Sequence, residues 1–154
     1  MANHQKINMD QGWIRKVVTI NRISKVVKGG RRMRFSALVV TGNGAGLVGY
    51  GHEKAGEVSA AIAKAEKKAM KSLIKISLEG PSIPFSFTSK FGASRILLKP
   101  ARKGRGLVAA KSVRAVMEAV GVSDVVTKLF GSHNPLNVVK ATLLGLSHLS
   151  EDRE

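Results

Sequence analysis

The chain has 154 residues, enough for one compact unit or two small ones, and with 44% hydrophobic but only 5% aromatic residues its core must be mainly Val, Ile, Leu and Ala. It carries 26 lysines and arginines against 10 aspartates and glutamates, a formal net charge of +16 that exceeds what solubility requires. Cysteine is absent, which excludes disulfides, thiol chemistry and cysteine-ligated zinc. No apolar run approaches the roughly 18 residues of a membrane span, and the polar stretch Met1 to Asp10 shows no secretory signal.

In chain order, Trp13 to Val27 reads as a strand rich in β-branched residues, broken by Gly29-Gly30. A second strand follows over Arg34 to Thr41, then a glycine-rich hairpin connection over Gly42 to Gly46, then a third strand over Leu47 to Gly51. From Glu57 to Lys75 the apolar positions Val58, Ile62, Ala65, Ala69 and Leu73 recur at helical spacing, with Lys64, Lys67, Lys68, Lys71 and Lys75 along the other side. Together these predict a three-stranded sheet carrying one helix.

Glu79-Gly80-Pro81 through Pro84 interrupts all periodicity, so a domain boundary is expected at 76–82, with modules at 10–78 and 79–150. In the second module, Phe85 to Ser89 and Ser94 to Leu98 read as strands, and Lys99 to Gly106 as a basic loop. A helix is expected over Ala109 to Val120 with Gly121 as its left-handed cap. A strand over Val125 to Phe130 precedes Asn134-Pro135, a cap and first-turn proline that start a last helix running to Leu149. Glu151 to Glu154 reads as a frayed tail. The fold class is therefore α+β in two small modules.

The cations are distributed unevenly. Gln11 to His52 contains no acidic residue but holds Arg15, Lys16, Arg22, Lys25, Lys28, Arg31, Arg32 and Arg34. Glu79 to Glu118 encloses a second such window with Lys90, Arg95, Lys99, Arg102, Lys103, Arg105, Lys111 and Arg114. Uncompensated windows of this kind fit a polyanion, and nucleic acid is the expected partner. A solvated surface usually interleaves both signs, and an anionic membrane would call for a basic amphipathic helix with bulky anchors, which the sequence lacks.

Candidate chemistry narrows the class further. Gly44-Ala45-Gly46-Leu47-Val48-Gly49 has the spelling of a dinucleotide-binding fingerprint. It falls between two expected strands and not at a helix start, where free N–H groups would meet a pyrophosphate. No Walker-type Gly-Lys-Ser/Thr follows either glycine cluster. The four histidines, His4, His52, His133 and His148, form no close ligand pair, so no metal site, cofactor or catalytic residue is assigned.

The candidate RNA-binding residues are Arg22, Lys25, Lys28, Gly29, Gly30, Arg31, Arg32 and Arg34 around the first turn. Alternation would put Arg22 and Lys28 on one face and Lys25 on the other, while the glycines free the backbone to turn sharply beside a phosphate. An ordinary hairpin with cations on its rim is the other reading. Arg102, Lys103 and Arg105 form a second candidate cluster in a glycine-freed loop. The lysine stripe of the first helix suits double-stranded RNA and a merely solvated face equally.

Three segments carry a family resemblance. Asn21 through Arg31, Gly42 through Gly51, and Gly131 through Thr142 resemble, in order, the bacterial form of the ribosomal protein S-five family, and the likeness covers residues 13 to 149. It implies an N-terminal module like the double-stranded-RNA-binding fold and a C-terminal βαβ-type module, whose fold alone brings no catalysis. It also implies contacts with small-subunit rRNA, with neighbouring ribosomal proteins of the S-four and S-eight families, and with mRNA at its entry path, in a cytoplasmic or organellar ribosome. By the resemblance, the stretch Lys25 to Arg31 reaches the rRNA of the head and neck where spectinomycin acts. Gly106 and Arg114 lie toward the S-four neighbour, at an interface linked to decoding accuracy. The chain departs from the family pattern at Gly56 and Ser59, where arginine and proline are usual, and at Lys111 and Ser112, where glycines are. A free-standing RNA chaperone, or an enzyme built on the second module, are the rival readings; small-subunit co-sedimentation separates the first and nucleotide turnover the second.

Overall fold

The structure, a computed structural model, describes residues 12–76, 78 and 80–151. Strands β1 (Ile14–Val27), β2 (Gly30–Gly42) and β3 (Leu47–Ala55) form an antiparallel meander. Helix α1 (Val58–Lys71) follows, and β4 (Ile74–Lys75) returns to pair with the start of β3, so the expected three-stranded sheet has four strands in the order β1-β2-β3-β4. The second module runs β5 (Phe87–Phe91), β6 (Ser94–Pro100), β7 (Leu107–Val108), α2 (Lys111–Val120), β8 (Val125–Gly131) and α3 (Pro135–Glu151). Its sheet has the order β5-β6-β8-β7. β7 and β8 are parallel with α2 as their crossover, which is the βαβ unit expected. The N-terminal stretch to Asp10 and the tail beyond Glu151 lie outside the described residues.

The expected first helix overruns its real end by four residues. Leu73 fits the helical period, but Ser72 stops the chain there: its N–H donates to the Ala69 carbonyl at 3.2 Å and its hydroxyl to the carbonyls of Lys68 and Tyr50, both at 3.1 Å. The buried face of α1 is an alanine row, Ala61, Ala65 and Ala69, rather than Val58, Ile62 and Leu73, which are only partly buried. Alanine is needed because β3 comes unusually close. A Cβ on Gly49 would stand 2.3 Å from the Ala69 carbonyl oxygen, and one on Gly51 2.0 Å from that of Ala65. Ala65→Leu is therefore expected to force helix and sheet apart and lower stability by roughly 1–3 kcal/mol, read from the denaturation midpoint.

β2 is buried on both sides. Ala37 and Val39 join Ala55, Ala61 and Ala65 under α1, whereas Leu38 and Val40 join Val18, Val48, Val113, Val116 and Met117 in the larger core on the opposite face. That larger core continues through Ile96, Leu98, Val125, Val139 and Leu146. Helices α2 and α3 thus lie between the two sheets, α2 against the first and α3 against β5 and β6. The layers follow the order α1, first sheet, helix pair, second sheet, and the two modules share one apolar interior.

The glycine loop between β2 and β3 welds this arrangement. A helix leaves its last carbonyls without partners, and at the end of α2 the N–H groups of Gly44 and Gly46 donate to the carbonyls of Ala119 and Val120, each at 3.0 Å. Gly121 closes α2 at φ +103, its N–H donating to the Met117 carbonyl at 3.0 Å, as a left-handed cap. A side chain there would meet the Gly44 carbonyl oxygen at 2.1 Å, and one on Gly42 the Ala119 oxygen at 2.1 Å. The fingerprint-like spelling is thus a strand-to-strand turn shaped to accept a helix end. Asn43 braces it, its Oδ1 accepting from the N–H groups of Ala45 and Leu47 at 2.8 and 3.0 Å.

Candidate nucleic-acid interface

Part of each basic window of the sequence falls on one of two exposed features. The first is an arm. β1 and β2 pair all the way to Val27 opposite Gly30, but β3 accompanies β2 only as far as Phe35 opposite Ala55. Beyond Arg34 the ribbon is two strands wide, and at about 3.4 Å per residue it stands out by ~20 Å. The sequence places the break at Gly29-Gly30 and starts the second strand at Arg34, whereas β2 already starts at Gly30. Gly29 takes φ +108 and Gly30 φ +150, and a Cβ on either would meet nothing within 4 Å. The turn itself demands glycine there, not crowding within the protein.

Lys28 is exposed in that turn and belongs to neither strand, so the expected alternation of Arg22 and Lys28 on one face does not extend to it. Arg22 sits opposite Phe35 and Arg34 opposite Ile23, in adjacent cross-strand pairs, so the two arginines lie on opposite faces of the ribbon. The backbone register sets Lys25 against Arg32 and Val26 against Arg31. Val26 is 77% exposed, an apolar side chain held out near the tip.

The second feature is the loop 101–106 between β6 and β7. Arg102, Lys103 and Arg105 are exposed on it. Its shape is set from beneath by Asp124, a buried carboxylate whose Oδ1 accepts from the N–H groups of Gly106 at 2.8 Å and Gly104 at 3.2 Å. Both glycines have positive φ, and the Arg105 N–H donates to the Arg102 carbonyl at 3.0 Å to close a turn. The sequence does not single out Asp124, since nothing in its spacing from Gly104 and Gly106 signals a contact. Gly106 and Arg114 are brought together: Arg114 Nη2 donates to the carbonyl of Leu107, the residue after Gly106, at 3.0 Å.

Acidic residues compensate elsewhere. Arg15 pairs with Glu66 at 3.5 Å, Lys16 with Glu118 at 3.0 Å, and Lys68 of the helix stripe with Glu53 at 3.4 Å. Among the described residues no such pair involves Arg22, Lys28, Arg34, Arg102, Lys103 or Arg105. His52 lies in a cleft with Lys68 and Lys140. Burial first, then Lys54 and Lys68, lower the pKa of its imidazole from the ordinary histidine value, outweighing the opposite pull of Glu53. At the departures from the family pattern, α1 and α2 begin after Glu57 and Ala110, neither of which caps its helix with a side chain.

Comparison with known proteins matches both halves of this architecture. Residues 13–77 match the family model for ribosomal protein S5, N-terminal domain, and residues 89–154 that for ribosomal protein S5, C-terminal domain. A relative from Lawsonia intracellularis (strain PHE/MN1-00), the small ribosomal subunit protein uS5, is 52% identical over 138 residues, covering 90% of this chain and 85% of its own length. An α+β chain with two exposed basic features and both domain signatures therefore belongs to the ribosomal protein S5 family, structural rRNA-binding proteins of the small ribosomal subunit and not enzymes.

Proposed function

We propose that this chain fixes the relative orientation of small-subunit rRNA segments by gripping them with the arm and with the loop 101–106. The observation that carries the reading is the arm: a two-stranded ribbon extending beyond the third strand, with cations on both faces and a glycine turn open to its surroundings at its end. Such a wedge can touch phosphates on either side at once, which a flat patch cannot. Phosphate contacts position without reading sequence, and each releases counterions. In the same reading Gly106 and Arg114, joined through the Leu107 carbonyl, face a neighbour of the S-four family, a second face meets the S-eight family, and the protein contributes to decoding accuracy near the mRNA entry path of a cytoplasmic ribosome. We also take 10–78 and 79–150 as its two domains.

The test is binding of a small-subunit rRNA fragment across a salt series. Affinity is expected to fall steeply between about 50 and 200 mM salt. Lys28→Glu and Arg102→Glu should each flatten the slope of log affinity against log salt by roughly one unit. An affinity indifferent to salt, or charge reversals that leave the slope unchanged, would sink the reading.

A further inference from the structure

The second sheet has one face under α3 and the other bare. The pairing register shows which residues share the bare face: Lys90, Arg95 and Phe130 form one row across β5, β6 and β8, Thr88, Leu97 and Lys128 the next, and Lys99, Val126 and Val108 the third, reaching β7. Lys90, Arg95, Lys99 and Lys128 are exposed, no acidic residue falls on these rows, and among the described residues none of the four is in an ion pair. Phe130 and Val108 are 44% and 47% exposed. None of these residues belongs to the arm or to the loop 101–106.

Two features of this face ask for a ligand. Lys90 stands directly opposite Arg95, a like-charge cross-strand pair that weakens the sheet by itself. Phe130 completes the same row, so an aromatic ring is held in water at the edge of a cationic strip. We infer that the bare face of the C-terminal sheet is a platform for single-stranded RNA, with a base stacked on Phe130 and the backbone following Arg95, Lys90, Lys128 and Lys99. Strands about 4.8 Å apart and rows about 6.8 Å apart set the cations at a spacing a flexible backbone can follow. A rigid duplex would meet the cations and leave the ring unused, because its bases are stacked inside. A single strand satisfies both, as on other sheets where aromatic and basic residues share an open face.

The inference goes beyond the grip on structured rRNA and is separable from it. The full-length protein is titrated with a fluorescent uridine oligomer of about 12 nucleotides, within the site sizes of single-strand binders, followed by anisotropy, and in parallel with the structured rRNA fragment. The double variant Arg95→Glu/Lys128→Glu is expected to weaken oligomer binding at least about tenfold and to flatten its salt slope. Phe130→Ala should weaken it by roughly fivefold or more, and Phe130→Tyr should restore it. Because the side chains point outward, thermal melts should be undiminished, and Arg95→Glu alone should if anything raise the midpoint by removing the clash with Lys90. Lys28→Glu should spare the oligomer and weaken only the rRNA fragment. Oligomer binding that survives the double variant and Phe130→Ala overturns the platform while leaving the arm's role standing. So does protection of Arg95 and Lys128 in assembled particles by a neighbouring protein with no RNA cross-link to Phe130.

Discussion

Replacing Gly121 by valine is expected to destabilise the protein by about 3–5 kcal/mol and to lower its melting temperature by about 10 °C or more. Two separate penalties combine. A branched side chain is strained at φ +103, and its Cβ would lie 2.1 Å from the Gly44 carbonyl oxygen, which is backbone and cannot rotate aside. Relief requires moving the loop 42–46 off the end of α2, and the N–H groups of Gly44 and Gly46 then lose the carbonyls of Ala119 and Val120. Gly80→Ala isolates the first penalty, because Gly80 has φ +60 and a methyl group there would meet nothing within 4 Å. It should cost only about 1–2 kcal/mol. Similar losses in Gly121→Val and Gly80→Ala, by calorimetry, would mean that the loop and helix end are not welded as described.

Asp124→Ala is expected to loosen the loop 101–106 and to lower stability by roughly 2–3 kcal/mol, since hydrogen bonds to a charged group are worth about 1.5–3 kcal/mol and the N–H groups of Gly104 and Gly106 share one acceptor. The informative readout is local. Amide exchange at Gly104 and Gly106 should rise far more than exchange in the α2 core. Affinity for the rRNA fragment should drop although Arg102, Lys103 and Arg105 are all still present. Asp124→Asn, which keeps an acceptor oxygen, should recover most of both effects. Unchanged exchange at the two glycines in the alanine variant would remove Asp124 from its anchoring role.

Features encoded by neighbouring residues are legible in the sequence. Asn134 caps α3 as its spelling indicates, its Oδ1 accepting from the Leu136 N–H at 3.1 Å, and Gly121 ends α2 in the left-handed conformation. What depends on distant partners is not legible. β4 and β7 are two residues each, and only the strands beside them make them strands. The arm is longer than its sequence suggests: Gly29-Gly30 spells the turn, but the second strand is expected only from Arg34, and nothing local says that Gly30 to Met33 will pair with Ser24 to Val27. The glycines of the loop 42–46 spell a turn and nothing more, since the helix end that needs them lies far along the chain, at Ala119 to Gly121. Of the candidate site, the cations and turn glycines are visible as composition and order; which faces they occupy, and the buried carboxylate that shapes the second cluster, come only with the register and the packing.

The covering of the first sheet by α2 has a consequence for how the protein is made. Val18, Leu38, Val40 and Val48 are complete as a strand face well before Val113 to Val120, their lid, has been synthesised. At ~5–20 residues per second, the nascent chain carries that greasy surface for several seconds. A polypeptide destined for an RNA machine thus leaves another copy of that machine half-dressed, and its yield in the cell should depend on holding factors that shield emerging chains.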